Sequence, residues 1–262
     1  MMLNKEKIAV STSANAPKIK SRYRVKIAES LKEIESALRL RFEVFKVELA
    51  KNKSVSDSRL LEFDEFDNRC KHLIVIDELT HKTVGTYRLN FLENNDWISD
   101  FYSFTEFRIE DLPAEILKNS VEIGRACVAQ EYRNSKVLFL LWKGLAQFLK
   151  DYDKRYFFGC CSIFTTEFSI GQIVFNQLRN QGFIDEKLLI EPREEKAENS
   201  GNNSFVNSNF PLPPLFNMYL KVGAKICSKP IIDEDFGTTD FFVLFDRENM
   251  NEKYAEMFFG EN

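Results

Sequence analysis

The sequence predicts an α/β protein in which a mixed central sheet is flanked by helices. Three observations predict it. Strand-like segments, at 23–28 and within 71–92, are interleaved with longer segments whose apolar residues recur every three or four positions. The two halves of 71–92 flank a polar turn, Glu78 to Lys82, as in a hairpin. Of the 262 residues, 44% are hydrophobic, enough to bury a core between layers in one large domain.

Taken in order, Tyr23 to Ala28 reads as the first strand. Ser30 to Ala50 reads as a helix. Ser30 and Glu33 form a capping box at its start, and Leu31, Ile34, Leu38, Phe42, Phe45 and Leu49 form its apolar stripe. A polar loop, Lys51 to Ser58, precedes the hairpin strands Lys71–Ile76 and Thr83–Leu92. Asp100 to Lys118 is mixed, with a helix after Pro113. Ser120 to Ala129 is a strand, Asn134 to Tyr152 a long amphipathic helix, and Tyr156 to Phe164 a strand. Thr166 to Asn180 is a helix that ends before Gly182. Pro211 to Val222 is a helix with prolines at its start and Gly223 as its stop. Asp240 to Phe245 is the last strand. The expected organisation is a flexible N-terminal segment over 1–21, one domain over 22–250, and a C-terminal tail over 251–262. Within the domain, 185–209 turns charged and then rich in Asn and Ser, which predicts a mobile insertion.

Composition narrows the function. A net charge of -4 argues against a general nucleic-acid binder. Met1 to Ser21 carries no signal-peptide apolar run, and the longest strong apolar run, Val137 to Trp142, is too short to cross a bilayer. The five cysteines have no C-x-x-C spacing and read as reduced thiols. A cytoplasmic protein is expected. There are two histidines, His72 and His81, and no second pair joins Cys70 and His72 to complete a zinc site, so no metal is expected. A general base would then be a carboxylate. The 25 phenylalanines suit an acyl tunnel, but a biased codon usage explains them as well.

Several charges break the local pattern. Arg41 lies on the apolar stripe of the first helix, where a charge is costly unless paired. A structural ion pair and a functional role fit it equally. The run Glu62-Phe63-Asp64-Glu65-Phe66-Asp67 supplies partners, its phenylalanines folding it back onto the core. Arg88 sits in a strand opposite Tyr87 and Leu89. Glu122 and Arg125 share a strand, on opposite faces by strict alternation. Such charges mark either a solvated edge or a site.

These residues, in this order, resemble a known family. Arg41-Phe42-Glu43-Val44-Phe45, the acidic run 62–67, Gly85-Thr86-Tyr87-Arg88-Leu89 and Glu122-Ile123-Gly124-Arg125 resemble the acyl-homoserine-lactone synthases. Gly-Arg-Ala-Cys-Val, Glu-Tyr-Arg, Leu-Trp-Lys-Gly-Leu-Ala and Tyr219-Leu220-Lys221-Val222-Gly223-Ala224 are similar to the related branch of ornithine acyl-ACP N-acyltransferases and long-chain N-acyl amino acid synthases, some labelled hemolysin-like. The resemblance spans roughly Tyr23 to Asp246. It implies a GNAT-like fold whose splayed sheet receives the pantetheine arm of the donor. It also implies that Arg41, Asp64, Asp67, Arg88, Glu122 and Arg125 are the charged site residues and Phe45 a matched aromatic.

One departure bears on the donor. Acetyl-CoA enzymes of this fold carry Q/R-x-x-G-x-G/A, whose glycines admit the CoA pyrophosphate to backbone N–H groups. Here the stretch is Arg133-Asn134-Ser135-Lys136-Val137-Leu138, with Lys136 and Leu138 at the glycine positions. A carrier-protein donor does without that loop, although a distorted working CoA site fits the same residues. Lys136, Lys143, Lys150 and Lys154 also lie opposite the apolar face of the helix, which suits an acidic carrier protein as well as plain solvent.

The expected activity is transfer of a fatty acyl or 3-hydroxyacyl group from the phosphopantetheine of acyl carrier protein to the α-amine of an amino acid such as ornithine or glycine. No bound cofactor and no covalent intermediate are required. Glu122 is the expected base, and Arg41, Phe45, Asp64, Asp67, Arg88 and Arg125 hold the substrates. Arg133, Lys136, Lys143 and Lys150 meet the carrier protein or its pantetheine, and Cys127 is a small core residue. A lipid product implies peripheral contact with the membrane's inner face. Alternatives are a lactone synthase using S-adenosylmethionine, a silent GNAT-like binding module and a CoA-dependent acetyltransferase.

Overall fold

The computed structural model describes residues 21–49, 60–93, 97–133, 135–193 and 210–260. Residues 1–20 of the expected N-terminal segment, the loop Lys51 to Ser58 and the part of the insertion over 194–209 lie outside the described residues. Eight strands build one sheet: β1 (Tyr23–Ile27), β2 (Lys71–Asp77), β3 (Lys82–Asn90), β4 (Ser120–Val128), β5 (Tyr156–Ile163), β6 (Lys225–Ile226), β7 (Ile231–Asp233) and β8 (Thr238–Asp246). Their order is β1-β2-β3-β4-β5-β8-β6, with β7 also on β8. The pair β4–β5 is parallel, and the other pairs are antiparallel. The helices are α1 (Leu31–Arg41), α2 (Ser103–Glu106), α3 (Ala114–Lys118), α4 (Ser135–Asp151), α5 (Phe168–Asn180), α6 (Pro214–Val222) and α7 (Glu252–Phe259).

Alternation along the strands divides the core into two layers. Leu73, Val75, Tyr87, Val121, Phe157 and Phe241 face α4, whose Val137, Leu141, Leu145 and Phe148 form the apolar stripe read from the sequence. The intervening residues face α1 on one side, through Ala37, Ile74 and Ile76, and the 98–118 segment on the other, through Phe101, Phe107 and Phe158. Between α1 and that segment the same face carries charge, and the candidate site lies there.

Strands β4 and β5 are laddered over three pairs only, Ser120–Tyr156 to Glu122–Phe158, and beyond them share no further ladder. The strands close tightly at the end of that ladder. A Cβ placed on Gly159 would lie 2.2 Å from the Ile123 carbonyl oxygen, so this contact admits glycine alone.

Three expectations change. The helix from Ser30 keeps its capping box, but at Phe42 it widens into a π-helix, Phe42–Glu48, closed by Leu49 N–H to the Val44 carbonyl at 3.0 Å. The start of the expected insertion is tied down: Asp185 and Ile190 donate to the Ile226 and Cys227 carbonyls, and Arg108 to Glu191. The C-terminal tail is the helix α7, capped by Asn251, with Phe258 buried against Trp142 and Phe139 of α4. Its apolar face has α4 to cover it, which a tail lacks.

Candidate active site

The site begins with a break in β4. Strands β3 and β4 pair Arg88 with Gly124 and Thr86 with Cys127, so Arg125 and Ala126 together oppose Tyr87. This is a β-bulge, and Arg125 takes the left-handed conformation at φ 49°. Alternation placed Glu122 and Arg125 on opposite faces. The extra residue reverses parity, so both point to the charged face while Ala126 and Val128 return to the α4 side.

Three arginines and three acids close a ring there. Arg41 forks onto Asp67 at 2.6 and 3.0 Å and also binds Glu62. Glu62 accepts from Arg125 at 3.2 Å, and Arg125 reaches Asp64 at 2.9 Å. Asp64 accepts from Arg88 at 2.5 Å, and Arg88 returns to Asp67 at 3.4 Å. Charges alternate around the ring and cancel. Asp64 and Asp67 also cap the turn Glu65–Asn68, Asp64 accepting from Phe66 N–H and Asp67 from Asp64 N–H. The Asp67 carboxyl is pushed up by burial, yet the hydrogen bond and charge of Arg41, then the charge of Arg88, outweigh this and hold it below its usual range. Arg41 is 0% exposed while the side chains of Arg125 and Asp64 keep 11% and 24%, so the ring meets the cleft at those two residues. Arg41 and Asp67, expected to hold substrate, lie buried behind those two residues and brace the ring from below.

Tyr102 joins the ring to Glu122. Its ring centroid lies 4.6 Å from the Arg125 guanidinium, and Phe236 stacks on the same guanidinium at 4.3 Å. Glu122 is buried and accepts from Tyr102 N–H at 3.0 Å and Ser103 N–H at 2.7 Å. Burial raises its carboxyl above the usual range, against the hydrogen bonds from Ser103 and the charge of Arg88. Phe45, expected as a site aromatic, touches Phe236 edge-on at 6.1 Å and so lies one ring behind Arg125.

His72 lies beneath the ring with neither ring nitrogen hydrogen-bonded among the described residues. Burial, together with the charges of Arg41 and Arg88, lowers it from 6.5 to about 4 against the pull of Asp67. The folded state therefore resists a proton that the unfolded chain accepts below pH 6.5, and stability falls from there down to about pH 4. At roughly 1.4 kcal/mol per pH unit, denaturant unfolding at pH 7 and pH 5 should show wild type losing about 2 kcal/mol more than His72→Leu. Equal losses would remove His72 as the cause.

The basic residues expected to meet the donor are only partly available. Arg133 is paired with Glu48 and donates to the Val128 carbonyl. Lys150 donates to the Phe259 carbonyl at 2.8 Å and so clamps α7, and Lys154 binds the Lys118 carbonyl at 2.6 Å. The lysine row is thus no continuous free face, because α7 covers part of it. Lys136 lies over Tyr23 at 5.3 Å and Lys143 over Phe139 at 5.5 Å. Beside the β4–α4 connection a cleft of about 350 Å³ is lined by Arg22, Lys82, Glu131 and Tyr132 among others.

Sequence reasoning did not single out Tyr102, Phe236 or, as a site residue, Glu62. Glu62 was visible as the first acid of its run; nothing local distinguishes the two aromatics.

The acetyltransferase (GNAT) domain family matches residues 40–143. An L-ornithine N(alpha)-acyltransferase of Brucella abortus is 30% identical over 251 residues, covering 90% of this chain and 89% of the relative. The chain belongs to the L-ornithine N(alpha)-acyltransferase family. The family member of Rhodobacter capsulatus is 28% identical, covering 90% of this chain and 94% of that protein. Among solved structures, FeeM, an N-acyl amino acid synthase from uncultured soil microbes, superposes with a TM-score of 0.52 at 8% identity, over 89% of this chain and 98% of that one. That likeness shows the fold. This member of the ornithine acyltransferase family is an acyltransferase on a GNAT fold, and among its described residues no helix is long and apolar enough to cross a membrane.

Proposed function

We propose that the protein transfers a fatty acyl group from the phosphopantetheine thioester of acyl carrier protein to the α-amine of ornithine. The observation that carries this reading is the end-to-end match to ornithine acyltransferases. The parting of β4 and β5 supports it by leaving a slot for the pantetheine arm. The neutral α-amine attacks the thioester carbonyl; a C–N bond forms, the C–S bond breaks, and the thiol leaves with a proton. Glu122 takes, through a water, the proton that the attacking nitrogen sheds and returns it to the leaving sulfur, its burial holding its affinity for a proton above that of an ordinary carboxylate. Backbone N–H groups of the bulge at Arg125 and Ala126 face the developing oxyanion. Arg125, at the open edge of the ring, receives the acceptor's α-carboxylate, and Asp64 and Arg88 hold Arg125 in place.

The carrier protein is proposed on the lost glycines at Lys136 and Leu138 and on Lys136 and Lys143 of α4, which lie over Tyr23 and Phe139. Acyl-ACP should give a higher kcat/KM than acyl-CoA of the same chain length, and salt should lower it, since exposed charges are screened beyond roughly 8 Å at physiological ionic strength. Lys136→Glu with Lys143→Glu should raise the KM for acyl-ACP while leaving that for acyl-CoA alone. Lys150 is a poor choice for this test because it clamps α7. Equal use of both donors, without a salt effect, would return the lysines to plain solvated residues. The proposed site of action is the cytoplasm, with the lipid product meeting the membrane's inner face.

A further inference from the structure

Beyond Tyr102, on the same face of the sheet, lies a second group of acids that the reaction above does not use. Glu106 ends α2, Cys160 sits on β5 and Asp240 on β8, and their carboxylate oxygens and sulfur lie within 4.8 Å of one another. Glu106 is 8% exposed and Asp240 4%. Asp240 accepts from the Thr238 hydroxyl at 2.8 Å, but neither oxygen of Glu106 has a hydrogen-bond partner among the described residues. Half-buried Asp233 adjoins them and accepts from the Tyr102 hydroxyl at 3.2 Å. Among the described residues none of the three acids has an ion pair, and neighbouring Arg125 is committed to Glu62 and Asp64.

A buried carboxylate without a counter-charge is costly, and two side by side are worse. Burial, and the proximity of the other acids, push both Glu106 and Asp240 above the ordinary carboxylate range. Burial also keeps Cys160 a neutral thiol. The pocket is therefore a buried acidic cluster with no basic side chain paired to it among the described residues. Tyr102 spans the distance to the reaction site: its backbone N–H is on Glu122, its ring under Arg125 and its hydroxyl on Asp233.

We propose that Glu106 and Asp240, with Asp233 beside them, receive the side-chain ammonium of a diamino-acid acceptor. The α-carboxylate then rests on Arg125, the distal cation joins the acidic cluster, and the α-amine is left to face the thioester. An ammonium brings three N–H donors, which the Glu106 oxygens lack among the described residues. This assignment rests on the amino-acid acceptor reading above and adds how the acceptor's second amine is recognised.

The test compares ornithine with 2-aminopentanoate, the same chain without the distal amine, at saturating acyl-ACP. Wild type should favour ornithine in kcat/KM. Glu106→Gln keeps the volume and removes the charge, and it should shrink that preference roughly 10- to 100-fold, as loss of a charged hydrogen bond does, mainly through the KM for ornithine. Asp240→Asn, made separately, should act in the same direction, and ornithine should raise the Tm of wild type more than that of either variant. An unchanged preference in folded variants overturns the inference, as does an equal fall in kcat for both acceptors. A stoichiometric divalent metal in the purified protein, required for activity and lost in Glu106→Gln, overturns it in favour of a metal site. If wild type acylates neither acceptor, the acceptor reading itself falls, and this inference with it.

Discussion

Glu122→Gln should lower kcat by about 10² or more, the usual scale for loss of a general base. The structure adds a second consequence. Both Glu122 oxygens accept backbone N–H groups, from Tyr102 and Ser103. A carboxamide turns one acceptor into a donor and leaves a buried N–H facing an N–H, a cost of about 1–3 kcal/mol. The variant should therefore melt lower as well as turn over more slowly. The pH profile of kcat separates the two effects. If Glu122 accepts the proton, the acid limb seen in wild type disappears in the variant. If it only pins the Tyr102–Ser103 turn, the profile drops in parallel and keeps its limb, and the base assignment fails.

Arg41→Met should destabilise the fold by about 3–5 kcal/mol, because it strips Glu62 and Asp67 of a shared buried partner. Pairing it with Asp67→Asn should restore part of that loss, since the second change removes one of the stranded charges. The coupling in this double-mutant cycle should exceed about 1 kcal/mol. Additive losses would mean that the ring is not energetically closed. Because Arg41 is fully buried, its loss should act on kcat through the orientation of Arg125, with stability and activity falling together.

Much of the fold could be read from the chain because its periodicities are local. The capping box at Ser30, the hairpin strands and the stripe of α4 each depend on residues within a few turns of one another. The site was legible in its members but not in its arrangement. A strand pattern of Glu122-Ile123-Gly124-Arg125 carries no sign of a bulge except a charge on what alternation makes the apolar face. That conflict was the available clue, and it was read as two faces. The acidic run 62–67 offers itself as a partner for Arg41, but which acid meets which arginine is hidden, because the three arginines come from three separate elements. Glu106 and Asp240 were passed over for the same reason: one lies in an irregular segment, the other in an apolar strand, and only the sheet brings them together. Helix α7 was missed because eight residues offer too short a window for a period to show.

On the proposed reading, the close approach at Gly159 would also act as a depth stop. The two parallel strands remain zipped until that residue and part just beyond it, so the absence of one side chain fixes how far any extended arm threading between them can travel. Everything that must meet the carbonyl at the arm's tip, from the bulge at Arg125 to the carboxylate of Glu122, lies within two residues of that vertex in β4. On that reading, reach would be set by the sheet and not by the loops around it. Lengthening or trimming the outer segments would then change what enters without moving the proposed resting point of the thioester.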